Sequence, residues 1–425
     1  MRCVSTRGGG EVSLTEAIAA GLAPDGGLFL PTQLPQLGAP PTAGASLPVV
    51  ASWLLRPFFE GEALAGALDE ICARAFTFAA PLRWLEPDTG LLELFHGPTA
   101  AFKDFGARFL AECTARIPSG SATRTVLVAT SGDTGAAVAA AFHRRPGFRV
   151  LVLYPDGRVS ARQAHQLGAF GDNVHAFRVA GSFDDCQRMV KAAFLDRELQ
   201  SRAPLLSANS ISLGRLLPQM AYYAHAALHA REQGLAPLSF VVPTGNLGNA
   251  FACLLAREVG LPIGRVVLAT NANRVLVDYL ATGCYEPRDS IATLANAMDV
   301  GAPSNVERLR ALFADPRRVV EAEAVEDTAI RATIASTWRK HGVAICPHTA
   351  CGVAVLETLR ERGARGPWVV AATAHPAKFD TIVEPAIGAE CPPPAPLAAL
   401  LARPAHATPL QPSSEALSNA LLDCA

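Results

Sequence analysis

The apolar positions of this chain fall into short, mostly apolar runs separated by longer periodic stretches. Thr125-Val-Leu-Val-Ala-Thr130, Arg149-Val-Leu-Val-Leu-Tyr154, Val174 to Ala180, Leu238-Ser-Phe-Val-Val242, Arg265 to Thr270 and Pro367 to Thr373 each read as a strand. None alternates apolar with polar, so each is expected to be covered on both faces, as in a parallel sheet. Helical stretches lie between them: an alanine-rich one after Ser131-Gly-Asp-Thr-Gly135, one after Ser160, one capped by Ser182-Phe-Asp-Asp185, and one after Asn249. Strands alternating with helices in two groups predict two α/β lobes with a cleft between them. Ahead of them, "EVSLTEAIAAGLAPDGGLFLP" predicts a short helix ending at Gly21, then a turn and a strand. A Pro/Gly/Ala-rich link and two apolar helical patterns up to Ala80 follow.

Length and charge narrow the class. At 425 residues two or three domains are expected. A net charge of −1 gives no excess to attract nucleic acid or an anionic membrane. The apolar runs are far too short to span a bilayer. "MRCVSTRGGG" has no apolar secretory segment, and ten scattered cysteines without a CxxC pair read as ordinary thiols of a reducing cytoplasm. Cys346-Pro-His348-Thr-Ala-Cys351 gathers three soft ligands but no second pair at zinc spacing, so a helix start with a capping residue is expected there.

Composition also singles out one segment. Of 37 basic residues only four are lysine: Lys103, Lys191, Lys340 and Lys378. Lys103 stands in "HGPTAAFKDFG", between Phe102 and Phe105. Desolvation by the two rings would lower its pKa and leave an amine able to form a Schiff base. Two strand-to-helix loops supply anion sites: Ser131-Gly-Asp-Thr-Gly135 and Gly245-Asn-Leu-Gly-Asn249. The second is neither a Walker loop nor GxGxxG. A reactive lysine with two anion-binding helix starts points to pyridoxal 5′-phosphate, held covalently and by its phosphate, with one loop left for a substrate carboxylate.

In order along the chain, "LELFHGPTAAFKDFGARFL", "ATSGDTGAAVA", "SANSISLGRLLPQ", "PTGNLGNAFA", "LANAMDV" and "TAHPAKF" closely resemble the threonine synthase family, in its longer form. The likeness begins at "GLAPDGGLFLP" and runs to about residue 390. It implies a fold-type II pyridoxal-phosphate enzyme with two parallel-sheet lobes and a small N-terminal domain over 1–90. The catalytic region would cover 91–390, its smaller lobe roughly 125–225, with a tail at 391–425. The implied reaction converts O-phospho-L-homoserine and water to L-threonine and phosphate, in a monomer or homodimer. The resemblance makes Lys103 the Schiff-base lysine and Gly245, Asn246, Leu247 and Asn249 the cofactor-phosphate loop. Thr373 would face the pyridine nitrogen. Ser131, Asp133 and Thr134 would meet the substrate carboxylate and the cofactor's ring oxygen, and Asn209, Ser210, Arg215 and Lys378 the substrate phosphate. Leu247 replaces a more usual Phe, and Asp156 stands where a neutral or basic residue is expected, so its turn should face solvent. Rivals are a phospho-amino-acid lyase or threonine dehydratase on the same fold, or a silent ligand-binding homologue.

Overall fold

The computed structural model describes residues 1–118 and 123–424. Its strands are β1 (Arg2–Ser5), β2 (Val12–Ser13), β3 (Phe29–Pro31), β4 (Leu82–Glu86), β5 (Thr89–Glu93), β6 (Arg124–Ala129) and β7 (Phe148–Pro155). They continue with β8 (Val174–Val179), β9 (Leu205–Ser207), β10 (Leu238–Pro243), β11 (Ile263–Thr270), β12 (Glu321–Ala324), β13 (Trp368–Ala372) and β14 (Thr408–Leu410). The apolar runs form the middle of two sheets. One has the order β12-β11-β10-β13-β5-β4, parallel except where β4 runs against β5. The other has the order β14-β8-β7-β6-β9 and is parallel throughout. Helices cover both faces of each sheet, which is why Val126 to Val128 and Val150 to Leu153 are wholly buried without alternation.

β1, β2 and β3 make a small antiparallel sheet. The helix Leu14–Ala20 leads out of it, with a Ser13–Glu16 capping box and Gly21 at its end. The Leu47–Phe59 and Leu68–Ala75 helices bury Phe58, Phe59 and Ile71 against the larger lobe. Buried Arg308 ties this unit to the rest: its Nε donates to Phe29 O at 2.9 Å and its Nη1 to Asn305 Oδ1 at 2.7 Å.

Three boundaries differ from the sequence expectation. β4 and the start of β5 fall before residue 90, yet they complete the six-stranded sheet, because β5 pairs with β13, far away in the chain. Within 125–225 the last strand of the smaller sheet is β9, which stops at Ser207, and the Met220–Glu232 helix packs on the Leu47–Phe59 helix instead. The stretch after 390 is no loose tail. β14 adds an edge strand beside β8, and the Ser414–Asp423 helix buries Leu417 and Leu421 against the Phe183–Leu195 helix. Three residues of strand and one ten-residue helix carry too little local pattern to announce this.

Candidate active site

Every loop expected to carry chemistry leaves the carboxyl end of a parallel strand, where α/β sheets place their ligands. Thr130 to Thr134 follow β6, Ala208 to Arg215 follow β9, Thr244 to Asn249 follow β10, and Thr373 follows β13. They line one cavity between the lobes together with Lys103.

Lys103 opens the Lys103–Arg116 helix, and a short antiparallel contact with the segment after β13 sets its position. Phe102 N donates to Thr373 O at 2.8 Å and His375 N to Ala100 O at 3.0 Å, so Lys103 and Thr373 are held on one wall. Asp104 anchors the approach by accepting from Thr99 N (2.8 Å) and Thr99 Oγ1 (2.6 Å). The Lys103 Nζ lies 5.7 Å from the centre of the Phe102 ring, while Phe105 turns away into the core against Phe78 and Tyr222. The side chain keeps some surface on the cavity, but protein surrounds it. Burial brings its amine down to about 8; nearby Asp133 opposes that shift, and Arg215 and Lys378 reinforce it.

Asp133 begins the helix Asp133–Phe142. Gly132 before it has φ +126°, and a Cβ there would stand 2.6 Å from Gln163 Cδ, so the turn requires glycine. Asp133 Oδ1 accepts from Gln163 Nε2 at 2.9 Å and pairs with Lys378 Nζ at 2.7 Å. Lys378 also donates to Thr99 O at 2.9 Å. Burial alone would push the Asp133 carboxyl up, but the charges of Lys378 and Lys103 win and hold it well below the usual carboxylate range. The Asp133–Lys378 pair joins the lobes, as do Ser160 Oγ to Lys378 O (2.8 Å) and Arg162 Nη1 to Ala377 O (2.6 Å).

The expectation for Lys378 is therefore corrected. It is wholly buried behind Asp133, does not line the cavity, and spends its donors within the protein. Asp133 likewise turns its carboxylate to cations, leaving Ser131 and Thr134 as the open groups of that loop.

In the 245–249 loop, Gly245 is forced by contact: a Cβ would lie 2.7 Å from Met298 Cα and 2.9 Å from Met298 O. Leu247 adopts φ +65°, buries its side chain fully, and gives its N–H to Thr244 Oγ1 at 3.1 Å. Its amide is thus committed, whereas those of Gly245, Asn246, Gly248 and Asn249 meet no acceptor among the described residues. Asn246 Nδ2 donates to Ser210 Oγ at 2.7 Å. Asn249 Oδ1 accepts from Tyr222 and Tyr223, at 2.6 and 2.9 Å, and its buried Nδ2 has no partner. Across the cavity Arg215 is 2% exposed. One guanidinium nitrogen donates to Ala208 O, Nε is unpaired, and burial lowers it to about 10. Asn209 Oδ1 is also buried without a partner.

Several contributors escaped the sequence reading. His348 lines the cavity with Nε2 accepting from Ala297 N at 3.1 Å, and burial lowers it to about 4, so it is neutral. Cys346 caps its helix, as expected, through Thr349 N at 3.4 Å. Ala297 and Met298, from "LANAMDV", form the wall beside Gly245, and Leu22 of the N-terminal unit reaches the cavity. Asp156 is exposed and lies 3.7 Å from Arg178, turned to solvent as expected.

A lysine with a lowered pKa between two parallel-sheet lobes, facing an uncharged loop of free amides, defines a pyridoxal-phosphate enzyme of fold type II. A family model described as pyridoxal-phosphate dependent enzyme matches residues 88–374. Models of the threonine synthase N terminus and C-terminal region match 2–76 and 349–421. The chain belongs to the threonine synthase family. It is 40% identical over 395 residues to threonine synthase of Serratia marcescens, covering 91% of each chain. The Escherichia coli K12 protein is 39% identical over 386 residues, 89% of each. The crystal structure of Escherichia coli threonine synthase superposes with a TM-score of 0.92 at 36% identity over the whole of both chains. That of PLP-bound threonine synthase from Brucella melitensis gives 0.89 at 37%, over 100% of this chain and 99% of that one. Maize serine racemase, at 17% identity and a TM-score of 0.55 over 72% of this chain, shares the fold alone.

The cofactor is pyridoxal 5′-phosphate. The residues present fit it: the open amides and orphaned Asn249 Nδ2 suit its phosphate, and Lys103 suits its aldehyde.

Proposed function

We propose that the chain converts O-phospho-L-homoserine and water to L-threonine and phosphate. The observation that carries this reading is a cavity with the Lys103 amine on one wall and, on another, a buried Arg215 whose Nε has no partner among the described residues. Gly245, Asn246, Gly248 and Asn249 would hold the cofactor's phosphate, and Thr373 would face its ring nitrogen. When bound, pyridoxal phosphate supplies an electron sink for charge left on the substrate's Cα.

The protein's own groups do the rest. With its amine poised near pH 8, Lys103 can take the Cα proton and, once it has passed that proton on, the Cβ proton. Two protons return to the product, one at Cα and one at Cγ, which becomes the methyl group, and the proton left over from water goes to the departing phosphate. The phosphate leaves Cγ with its bonding electrons, and water adds its hydroxyl at Cβ. Ser131, Thr134 and the helix start at Asp133 receive the substrate carboxylate. Arg215, Asn209 and Ser210 receive its phosphate, Arg215 using the donor left unpaired by the protein. A hydroxyl at Thr373 does not keep the ring nitrogen protonated, which weakens the sink and restrains side reactions. His348, neutral at this pH, adds no positive charge to the wall it helps build.

No helix of the described residues is long and apolar enough to cross a membrane. A cytoplasmic monomer or homodimer acting on a small molecule fits this reading. The deciding experiment supplies phosphohomoserine to the cofactor-loaded protein and measures L-threonine and phosphate together. Phosphate with a 2-oxo acid and no threonine would favour a lyase, and no turnover a silent homologue.

A further inference from the structure

Three of the four lysines in this arginine-dominated chain come together at one cavity. Lys103 stands on one wall, Lys378 stands behind Asp133, and Lys191 lines the cavity from the Phe183–Leu195 helix of the smaller lobe, one turn from Gln187, which lines it too. Lys191 is exposed and has no carboxylate within ion-pair distance among the described residues. The carboxylates near enough to feel its field are Asp184 on its own helix and Glu307 across the cleft, and Glu307 is already engaged by Arg7 at 2.6 Å.

Charge balance gives this lysine a task. A phosphate monoester carries close to two negative charges at neutral pH. The 245–249 loop has no cation, Lys378 is neutralised by Asp133, and Lys103 is committed to the cofactor. Among the residues lining the cavity that leaves two cations, Arg215 and Lys191. Arg215 is fixed and buried; alone it would leave half of the charge of a dianion unmatched in a desolvated site. We propose that Lys191 is the second cation for the substrate phosphate, reaching from the smaller lobe to the group that Arg215 holds from the other side. A lysine suits an anion that must enter bound to carbon and leave as free phosphate, because it offers a mobile, hydrated point charge rather than a fixed two-pronged grip.

This rests on the reading that the substrate is a phosphate ester, and the test separates the two. With the cofactor-loaded enzyme, KM for phosphohomoserine and competitive inhibition by inorganic phosphate are measured for wild type, Lys191→Ala, Lys191→Gln and Lys191→Arg. The expected result is a rise of tenfold to a hundredfold in both KM and the phosphate inhibition constant for the Ala and Gln variants, with the cofactor absorbance band retained. Lys191→Arg, which keeps the charge, is expected within about fivefold of wild type. If wild type turns over phosphohomoserine and the Ala and Gln variants keep both constants, Lys191 is only a solvated lysine and the proposal falls while the assigned reaction stands. If wild type neither turns over phosphohomoserine nor binds phosphate, the assigned reaction fails and this proposal with it.

Discussion

Removing the Lys378 ammonium while keeping most of its bulk, as in Lys378→Met, strips Asp133 of its closest partner. The pair sits at 2.7 Å with side chains 1% and 4% exposed, so solvent cannot take over. Deleting one member of such a pair costs about 3–5 kcal/mol, mainly because the other charge stays buried. Gln163 still donates to Asp133 and Lys103 still faces it, which places the expectation near the lower end, about 3 kcal/mol. Asp133→Asn combined with Lys378→Met leaves no bare charge and is expected to recover most of that loss, to within about 1 kcal/mol of wild type. Urea unfolding of the cofactor-free protein, followed by circular dichroism, measures both. Acid adds a second check. The Asp133 carboxyl is held below its unfolded value of about 3.9, so its contribution is complete above that pH and drains as pH falls through the folded value. The gap between wild type and Lys378→Met should therefore be widest at neutral pH and narrow below about pH 4. A single-variant loss under about 1 kcal/mol at pH 7, or a gap that does not change on acidification, would mean that Asp133 does not depend on Lys378 for its charge.

Lys103→Ala should abolish the absorbance of covalently held cofactor and all turnover, and Lys103→Arg should be equally inactive, because a guanidinium forms no imine. In wild type the rate of covalent cofactor attachment should climb with pH through about 8, as the amine loses its proton; a flat profile from pH 6 to 9 would contradict it. Thr373→Asp should hold the ring nitrogen protonated, shift the cofactor spectrum and raise the share of side products; an unchanged spectrum and product ratio would remove Thr373 from that position. Gly245→Ala drives a methyl against backbone atoms of Met298, and its cofactor dissociation constant, from equilibrium dialysis, should rise at least tenfold; wild-type affinity would mean the loop does not carry the phosphate.

Much of this protein was legible in its residues because the signals are local. Unbroken apolar runs such as Val126 to Val128 announce strands covered on both faces, and Ser182 with Asp185 announces a helix start, since both depend on neighbours a few positions away. Lys103 stood out because lysine is rare here and two phenylalanines flank it. Tertiary structure alone decided which charges meet. Lys378 reads as a free cation just beyond a strand end, yet folding brings it to Asp133, which lies in the other lobe, and buries both. Leu247 reads as one more amide of an anion loop, until Thr244 takes its N–H. His348 enters the site, and the stretch after 390 becomes an edge strand, through partners scattered along the chain. An ion pair or a sheet edge between distant segments leaves no periodic trace in either one, so only the packed chain reveals it.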